Sequence, residues 1–600
     1  MNVLALAVLV AVAAAEDPGT LIGNGRVTAV VDEFGAVSVC RWPGPAMNNQ
    51  LGGGAKWGIA TEGNFNWLGP DACSARRNYM PGVSTSSLSF PDGTTATVQV
   101  HVALNEDVLV SRMTFNSKPP DLIWYADFSP SAVILPELAV LRDLAPRDFA
   151  AYVKDNRVYQ FRPKAPGSKE WDAAAIADWE TFAEAEGVWI VMASPQAVRA
   201  SCGLAGSDIS AAARLAQRAA GDCDSALFLR PQPAGDSHEA VVFAAFGATR
   251  AEAESALDHV INRDRDALLA DVHACSAQFA EPPLATDAPD YPRRKKDLVT
   301  IALATDRSTG AFTRDPAGDG CSALCYTRDC AWASMAFDLA GREEEAGKIL
   351  AFAASTARKE PRRGKPRGSL PMAVYGNGTE ALPHLALDSD APAFVLGAIW
   401  KHAAAIKDPN RRGEFLQTVW PDAQLMADFL AGWTDSRNRE PLYTFDPAKH
   451  RDRQGPDRLL TTYMGIDAAL RIAAAAGQPE PEDWARRKVE LDALIRFQLV
   501  DRQTRAWKPG PVLPYWHDLI AQDWALKGPP LPSWDNAVQD LLKSASAEAA
   551  AAAALVWGND PARAPEITAA IEKAHAAPPD HNALKAAQRI IADCGLRIPD

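Results

Sequence analysis

The chain has 600 residues, of which 47% are hydrophobic and 23% are charged, and its formal net charge is −14. This length exceeds what one hydrophobic core usually serves, so two or more domains of ordinary globular composition are expected. The negative charge argues against nucleic acid as a partner, because binding nucleic acid requires a basic face.

The chain begins with an uncharged apolar run, Met1 to Ala15, which ends in small residues and is followed by Glu16 and Asp17. This pattern predicts a secretory signal peptide over residues 1–15, although the first basic residue is Arg26. The run is shorter than the roughly 20 residues that span a bilayer, so no membrane span is expected. We therefore expect a periplasmic or secreted protein.

Nine cysteines are present, and in an exported protein some of them are expected to form disulfides. The local candidates are Cys202 with Cys223, and pairs among Cys321, Cys325 and Cys330. A zinc site at the second group is not expected, because the chain has no CxxC motif and no histidine lies nearby in sequence. The sequence predicts neither a metal nor any other cofactor.

From about residue 21 to residue 246 the sequence has the features of an antiparallel β-sandwich. Val98, Val100 and Val102 show the two-residue period of a half-buried strand, and Gly and Pro separate short apolar runs. The turn Glu33-Phe34-Gly35 lies between two such runs. We assign residues 18–275 to this domain, with strands predicted at 26–31, 37–39, 98–102, 108–115, 158–161, 188–192, 226–229 and 241–246.

After about residue 250 the apolar residues follow a helical period. A charged amphipathic helix is predicted at 251–269 and a Pro-rich linker at 276–296. The remainder, residues 297–600, contains nine or ten helices joined as hairpins, which predicts an all-α toroid. These helices are expected at 297–305, 328–340, 343–357, 391–406, 413–433, 458–476, 482–499, 545–557, 563–576 and 581–594.

An Arg-Asp pair follows an aromatic residue where the second helix of this domain begins, in the run Leu324-Cys325-Tyr326-Thr327-Arg328-Asp329. Such a pair suits neighbouring sugar hydroxyls, because the carboxylate accepts from two hydroxyls while the guanidinium donates to their oxygens. Most Arg-Asp neighbours are only surface ion pairs worth roughly 0–1 kcal/mol. The interpretation gains weight because a β-sandwich followed by helical hairpins occurs in enzymes that act on glycans.

Further segments stand in a fixed order along the chain: Leu21-Ile22-Gly23-Asn24-Gly25 with Trp42-Pro43, Ser308-Thr309-Gly310-Ala311-Phe312, the 324–329 run, Asp388-Ser389-Asp390-Ala391-Pro392, and Val419-Trp420-Pro421 with Asp428-Phe429-Leu430 and Trp433. Together they resemble the glucoamylase-like and trehalase-like proteins of glycoside hydrolase family 15 over most of residues 20–500. The chain would be a divergent member of that family.

The resemblance implies a β-supersandwich followed by an (α/α)6 toroid. It also implies inverting, exo-acting hydrolysis of α-glucosidic linkages from the non-reducing end of an oligo- or polysaccharide. By position, Arg328 and Asp329 would hold the terminal sugar with Tyr326 beside them. Asp390 stands in another matching segment and is a further candidate for substrate binding.

Inverting hydrolysis needs a carboxylic acid and a carboxylate about 6.5–9.5 Å apart, so that a water molecule fits between them. The family has a Trp-Glu-Glu segment after the helix that ends near Trp433, and this chain has no Glu there. Counting forward from Trp433 favours Asp446 as the acid, while counting backward from residues 460–462 favours Asp452. Both are one methylene shorter than Glu, which matters when about 1 Å can cost roughly 100-fold in rate.

The base is expected near the final inner helix, where spacing back from Trp557 leads to Asp540. Asp535 and Glu548 are its neighbours and remain alternatives. Aromatic residues in or near the predicted inter-helix loops could stack on apolar sugar faces, although a Trp-rich chain also uses such residues in its core. These residues are Trp420, Trp516, Trp524 and Trp534.

Two other functions stay open at this point. A glycoside phosphorylase uses a similar architecture with one carboxylic acid and phosphate as the nucleophile, which suits the single plausible acid region but not export into a phosphate-poor compartment. A carbohydrate-binding protein would keep the pocket around Arg328 and Asp329 without catalysis. Product stereochemistry and phosphate dependence separate the two enzymes, and binding without turnover would identify the binding protein.

Overall fold

The computed structural model describes most of the chain, and every structural statement below concerns this part of it. The described residues are 19–61, 64–80, 82–128, 150–163, 187–204, 218–220, 223–279, 291–318, 320–362, 364–381, 390–436, 439, 441, 456–499, 550, 564–575 and 582–595.

Antiparallel strands fill the N-terminal part of the chain, as predicted. They are β1 Thr20–Gly23, β2 Thr28–Val31, β3 Val37–Arg41, β4 Leu51–Thr61, β5 Asn64–Trp67, β6 Ser74–Met80, β7 Val83–Ser89, β8 Thr95–Val102, β9 Val108–Phe115, β10 Leu122–Phe128, β11 Ala150–Lys154, β12 Arg157–Pro163, β13 Gly187–Ala193, β14 Ala197–Leu204, β15 Arg218–Ala220, β16 Cys223–Leu229, β17 Gln232–Ala234 and β18 Ser237–Gly247.

Two sheets pack face to face. One has eight strands in the order β1-β2-β3-β4-β10-β16-β14, with β5 beside β4. The other has ten strands in the order β15-β11-β12-β13-β18-β9-β8-β7-β6, with β17 beside β18. Val98 and Val100 of β8 are buried in the core between the sheets, which confirms the alternation read from the sequence. The predicted turn at 33–35 is also present, with Gly35 at φ +82° and Asp32 accepting from the amides of Phe34 and Ala36.

A helix covers the outer face of the second sheet. It is α1, Arg250–Ile261, whose Leu257 and Val260 pack against Val241 and Phe243 of β18. Thr249 caps α1 by accepting from the amide of Glu252. The prediction of one helix over 251–269 is wrong in its extent, because the chain breaks at Asn262 and a second helix, α2, follows at Arg265–Phe279.

The C-terminal part is helical, and the described helices agree with the predicted ones to within a few residues at most ends. They are α3 Tyr291–Leu303, α4 Thr327–Leu339, α5 Glu343–Ser355, α6 Ala391–Ala405, α7 Pro409–Gly432, α8 Pro456–Ala475, α9 Glu482–Leu499, α10 Ala564–His575 and α11 Ala583–Gly595. The predicted helix at 545–557 lies almost wholly outside the described residues. Helices α2 and α3 occupy the two ends of the linker predicted at 276–296.

The helices form two layers. Helix α4 packs between α6 and α11, and α6 packs between α4 and α8, while α3, α5, α7 and α9 lie outside them. Helices α4 and α6 run in the same direction, because Arg328 at the start of α4 lies over Phe394 of α6 and Asp338 at its end bonds to His402. Their first turns therefore share one end of the domain, which we call the opening end.

The sandwich and the helical domain are joined by specific contacts. Arg41 of β3 donates through Nε to the carbonyl oxygen of Pro316 at 2.8 Å, and through Nη2 to the carbonyl oxygen of Gly318. The amide of Arg307 donates to the carbonyl oxygen of Gly25 at 3.1 Å. These bonds between groups on both domains hold the sandwich against the helices on the side where α4 lies.

Candidate functional site

The centre of the site is an ion pair at the opening end. Asp329, in the first turn of α4, accepts two hydrogen bonds from Arg314, one from Nε to Oδ2 at 2.8 Å and one from Nη2 to Oδ1 at 3.1 Å. The Asp329 side chain is only 3% exposed, while that of Arg314 is 34% exposed. Burial disfavours the charge of Arg314, but the attraction of Asp329 outweighs it and raises the pKa of Arg314.

Arg328 directly precedes Asp329 in the sequence and lies over the next inner helix. Its guanidinium carbon lies 5.8 Å from the ring centroid of Phe394, over the first turn of α6. Consecutive residues on a helix are about 100° apart around its axis, so their side chains do not face each other. Asp329 is therefore held by a residue 15 positions earlier, and the sequence motif carried no signal for Arg314.

Tyr326 lies beside the ion pair, as the motif predicted. The Arg314 guanidinium carbon is 4.7 Å from the centroid of its ring, a cation–π contact. Tyr326 belongs to a two-residue strand, β19 Cys325–Tyr326, which pairs with β20 Ala373–Val374. Thr327 adds a hydrogen bond from Oγ1 to the carbonyl oxygen of Pro371 at 3.0 Å. The loop between α5 and α6 is thereby anchored to the start of α4.

Two more parts of the chain reach the same place. The carbonyl oxygen of Arg314 accepts from the amide of Ala583 at 2.8 Å, at the first residue of α11. From the sandwich, the carbonyl oxygen of Ala46 accepts from the amide of Gly376 at 2.9 Å, and Met47 packs against the same small buried cluster as Tyr326. The site is thus built where both domains and at least three helix N-termini meet.

A buried charge cluster supports the loop between α5 and α6. Glu380 Oε1 accepts from Arg358 Nη2 at 2.6 Å and from Lys365 Nζ at 2.7 Å, and all three side chains are at most 12% exposed. Burial raises the pKa of Glu380, but the bonds from Lys365 and Arg358 outweigh it and leave the pKa lowered. Ser369 accepts from Arg358 through its hydroxyl oxygen at 2.8 Å. This cluster fixes the loop that carries β20.

Asp390 also lies at the opening end. It directly precedes α6, and its carbonyl oxygen accepts from the amides of Ala393 and Phe394 at 2.9 and 3.2 Å. Its carboxylate does not cap the helix. A role in substrate binding stays a prediction for Asp390, as it does for Tyr326, Arg328 and Asp329.

Trp420 is placed differently from the prediction. It lies inside the outer helix α7 and not in a loop, half-buried, with its ring 6.0 Å from that of Trp484 on α9. This position agrees with the helix predicted at 413–433, which continues through Pro421, and not with a position in or near an inter-helix loop. Its proposed contact with a sugar stays a prediction.

The candidates for acid and base, Asp446, Asp452 and Asp540, lie outside the described residues, as do Asp535, Glu548 and the loop tryptophans Trp516, Trp524 and Trp534.

Close to the site, Cys325 Sγ and Cys330 Sγ are 3.6 Å apart, well beyond the roughly 2.05 Å of a disulfide. The hydrogen bond with the Cys325 thiol, together with burial, raises the pKa of Cys330.

No membrane-crossing candidate, judged by length and apolar character, occurs among the helices of the described part of the chain. No family model matches the chain, and no curated protein matches it.

Solved structures do match. A bacterial glucoamylase complexed with acarbose is 12% identical, with a TM-score of 0.67, over 97% of this chain and 94% of that one. A family GH92 α-mannosidase from Bacteroides thetaiotaomicron is 12% identical, with a TM-score of 0.51, over 96% of this chain and 81% of the mannosidase. The chain therefore has the fold of these glycoside hydrolases, a β-sandwich followed by a helical toroid, which confirms the predicted fold class.

Proposed function

We propose that this protein is an exported, inverting, exo-acting glycoside hydrolase that cleaves α-glucosidic linkages from the non-reducing end of an oligo- or polysaccharide. The observation that carries the proposal is the Arg314–Asp329 pair at the opening end, flanked by Tyr326 and Arg328. Fixed guanidinium groups beside an aromatic ring suit a sugar, because they donate to hydroxyl oxygens while the ring covers an apolar face.

The two arginines have different tasks in this proposal. Arg314 uses Nε and Nη2 on Asp329, which leaves Nη1 and the exposed third of the side chain to face a ligand. Asp329 is buried and acts mainly by holding Arg314 in place, so it is a positioning residue. Arg328 supplies a second guanidinium from the neighbouring position of the same helix turn. The Tyr326 ring stabilises the Arg314 guanidinium through the cation–π contact.

The chemistry would require two further carboxyl groups, for which the sequence supplies candidates. A protonated Asp446 or Asp452 would give its proton to the glycosidic oxygen, and a carboxylate, with Asp540 as the candidate, would take a proton from the attacking water. Water attack on the face opposite the leaving group inverts the anomeric configuration. The preference for α-glucosides over α-mannosides is supported by the more extensive likeness to the glucoamylase than to the mannosidase. The apolar segment Met1 to Ala15 supports export.

The test is a hydrolysis screen of the full chain on α-glucosides and α-mannosides of several linkages, with NMR detection of the first anomer released. We expect β-glucose to appear first from an α-glucoside. Asp446→Asn or Asp452→Asn, and Asp540→Asn, should lower kcat by at least 100-fold. Asp483→Asn, at a carboxylate 75% exposed on α9, is the control and should be fully active.

Each contrary outcome has its own meaning. If all three Asp→Asn variants keep full activity, the acid and base are other residues. If turnover occurs only with added phosphate, the protein is a phosphorylase. If glycans bind and none is cleaved under any condition, it is a carbohydrate-binding protein. A retained anomeric configuration in the product would contradict the inverting mechanism.

A further inference from the structure

A cavity lies in the outer layer of the helical domain, between the loop that follows α5 and the last turns of α7. Its volume is about 250 Å³. Its walls include Arg367 from the loop and, from α7 and the residue after it, Asp428, Phe429, Gly432 and Trp433. Pockets for drug-sized ligands run to roughly 300–1,000 Å³, so this one suits a single ring of a longer chain.

The lining combines an aromatic wall with both kinds of hydrogen-bonding group. Phe429 and Trp433 are stacked, with ring centroids 5.9 Å apart and planes 28° apart. The indole Nε1 of Trp433 is buried and has no hydrogen-bond partner among the described residues. Asp428 accepts from Trp484 through Oδ1 at 2.9 Å, which leaves Oδ2 for a further donor. An aromatic surface, two donors and one acceptor fit a pyranose ring, which has apolar faces and hydroxyl edges.

The lining of the cavity carries one charge of each sign. On the neighbouring loop, Arg358 and Lys365 share the single carboxylate of Glu380, which offsets one of their two charges, and Lys359 pairs with Asp422. At the cavity itself, the lining includes the Arg367 guanidinium and the Asp428 carboxylate. An anionic glycan would therefore meet repulsion as well as attraction, whereas a neutral one can bond to both groups.

The loop is held rigidly against α7. Gly368 has φ +79°, and a Cβ at this position would lie 1.9 Å from the carbonyl oxygen of Leu425, so only glycine allows the two backbones to approach so closely. The same loop continues to β20, which pairs with Tyr326 and its strand. Helix α7 follows α6 after only three residues and packs back against it, so its last turns, and the cavity beside them, lie at the opening end on the same loop as the candidate site.

We infer that this cavity is a second carbohydrate-binding site, which holds a neutral hexose unit of a glycan whose end lies in the candidate active site. The inference rests on the proposed function for the choice of glycan. Binding a distant part of a polymer raises the effective concentration of its ends near the opening. The site would thus favour long substrates over short ones.

The test uses the full chain in native gels that contain soluble starch or dextran, with retardation as the measure of polymer binding. Arg367→Ala and Trp433→Phe should weaken retardation about 3- to 10-fold. Trp433→Phe keeps an aromatic ring and removes Nε1. Arg362→Ala, at an exposed arginine of the same loop outside the cavity, is the matched control and should behave as the wild type. Addition of the polymer should slow hydrogen exchange at residues 364–370 and 425–433.

Turnover of maltotriose or isomaltotriose separates this inference from the proposed function. We expect kcat/KM on the trisaccharide to change by less than twofold in all three variants. If the wild type cleaves the trisaccharide but Arg367→Ala and Trp433→Phe bind polymer unchanged, or if no polymer retards the wild type, the second site is refuted and the enzyme assignment stands. If both variants lose trisaccharide turnover, the cavity belongs to the active site instead. A protein that neither binds nor cleaves glycans contradicts both.

Discussion

Arg314 and Asp329 form a bidentate ion pair in which the carboxylate is almost completely buried and the guanidinium is one-third exposed. The pair joins the segment before α4 to the first turn of α4, and the same Arg314 receives the first amide of α11 on its carbonyl oxygen. A single residue therefore ties together two helix starts and the candidate sugar site.

Removing the guanidinium should leave Asp329 as a buried charge without a counter-ion. We expect Arg314→Ala to lower the free energy of unfolding by about 2–4 kcal/mol, somewhat below the usual cost for a fully buried pair because Arg314 is partly exposed. Urea denaturation of Arg314→Ala, Asp329→Asn and the double variant measures this. A double variant that is less destabilised than the sum of the singles indicates coupling, whereas strict additivity would contradict it.

Glu380 is the carboxylate partner of two buried cations, Arg358 and Lys365. Glu380→Gln should therefore cost about 3 kcal/mol, while Lys365→Met should cost less because Arg358 still pairs with Glu380. The pKa of Glu380 is lowered in the folded state, so the stability that this glutamate contributes is present above its unfolded pKa and is lost as the pH falls through its folded pKa. Urea denaturation of the wild type and both variants from pH 7 to pH 3 measures the cost of each substitution and the dependence of stability on pH. Glu360→Gln, at an exposed glutamate of the same loop, should change stability by less than about 0.5 kcal/mol.

His101, on β8, should also make the stability of the folded protein depend on pH. Its two ring nitrogens are buried without a hydrogen-bond partner among the described residues, and burial, with repulsion from His273 and Arg112, lowers its pKa to about 4. Because the unfolded chain binds a proton at higher pH than the folded one, stability is full above about pH 6.5 and falls as the pH drops towards 4.

Between pH 7 and pH 4.5, protonation of His101 in the unfolded state should lower the free energy of unfolding by about 2 kcal/mol. Thermal or urea unfolding of His101→Gln should show a correspondingly flatter pH profile in this window. His259→Gln is the control, because His259 is exposed and pairs with Glu106 at the surface. An unchanged profile in His101→Gln would assign the acid sensitivity to other groups.

Trp420 was singled out from the sequence as a possible sugar contact, and a substitution can show whether it stabilises the helix packing or binds the substrate. Its contact with Trp484 lies between two outer helices, so Trp420→Phe should cost about 1–2 kcal/mol of stability. We expect KM for the glycan to change by less than twofold. A tenfold rise in KM with unchanged stability would instead support the sugar contact predicted from the sequence.

The architecture was readable from the sequence because it depends on local periodicity. Two-residue alternation in segments such as β8 and the three-to-four residue spacing in helices such as α6 each reflect which face of one element is buried, and a single segment carries that information. The division into a sandwich and a helical domain follows from the change of period near residue 250. Tyr326, Arg328 and Asp329 were likewise chosen as candidates from a contiguous motif, and their role in substrate binding stays a prediction.

The partners of those side chains were decided only by the tertiary structure. Arg314 bonds to Asp329 across 15 residues, Met47 of the other domain packs against the same buried cluster as Tyr326, and Trp420 contacts Trp484 on a neighbouring helix. No local pattern encodes such contacts, because they depend on how whole elements pack against one another. Residue types and periods therefore determined what kind of molecule this is, and packing at the junction of two domains determined which charges meet at its candidate site.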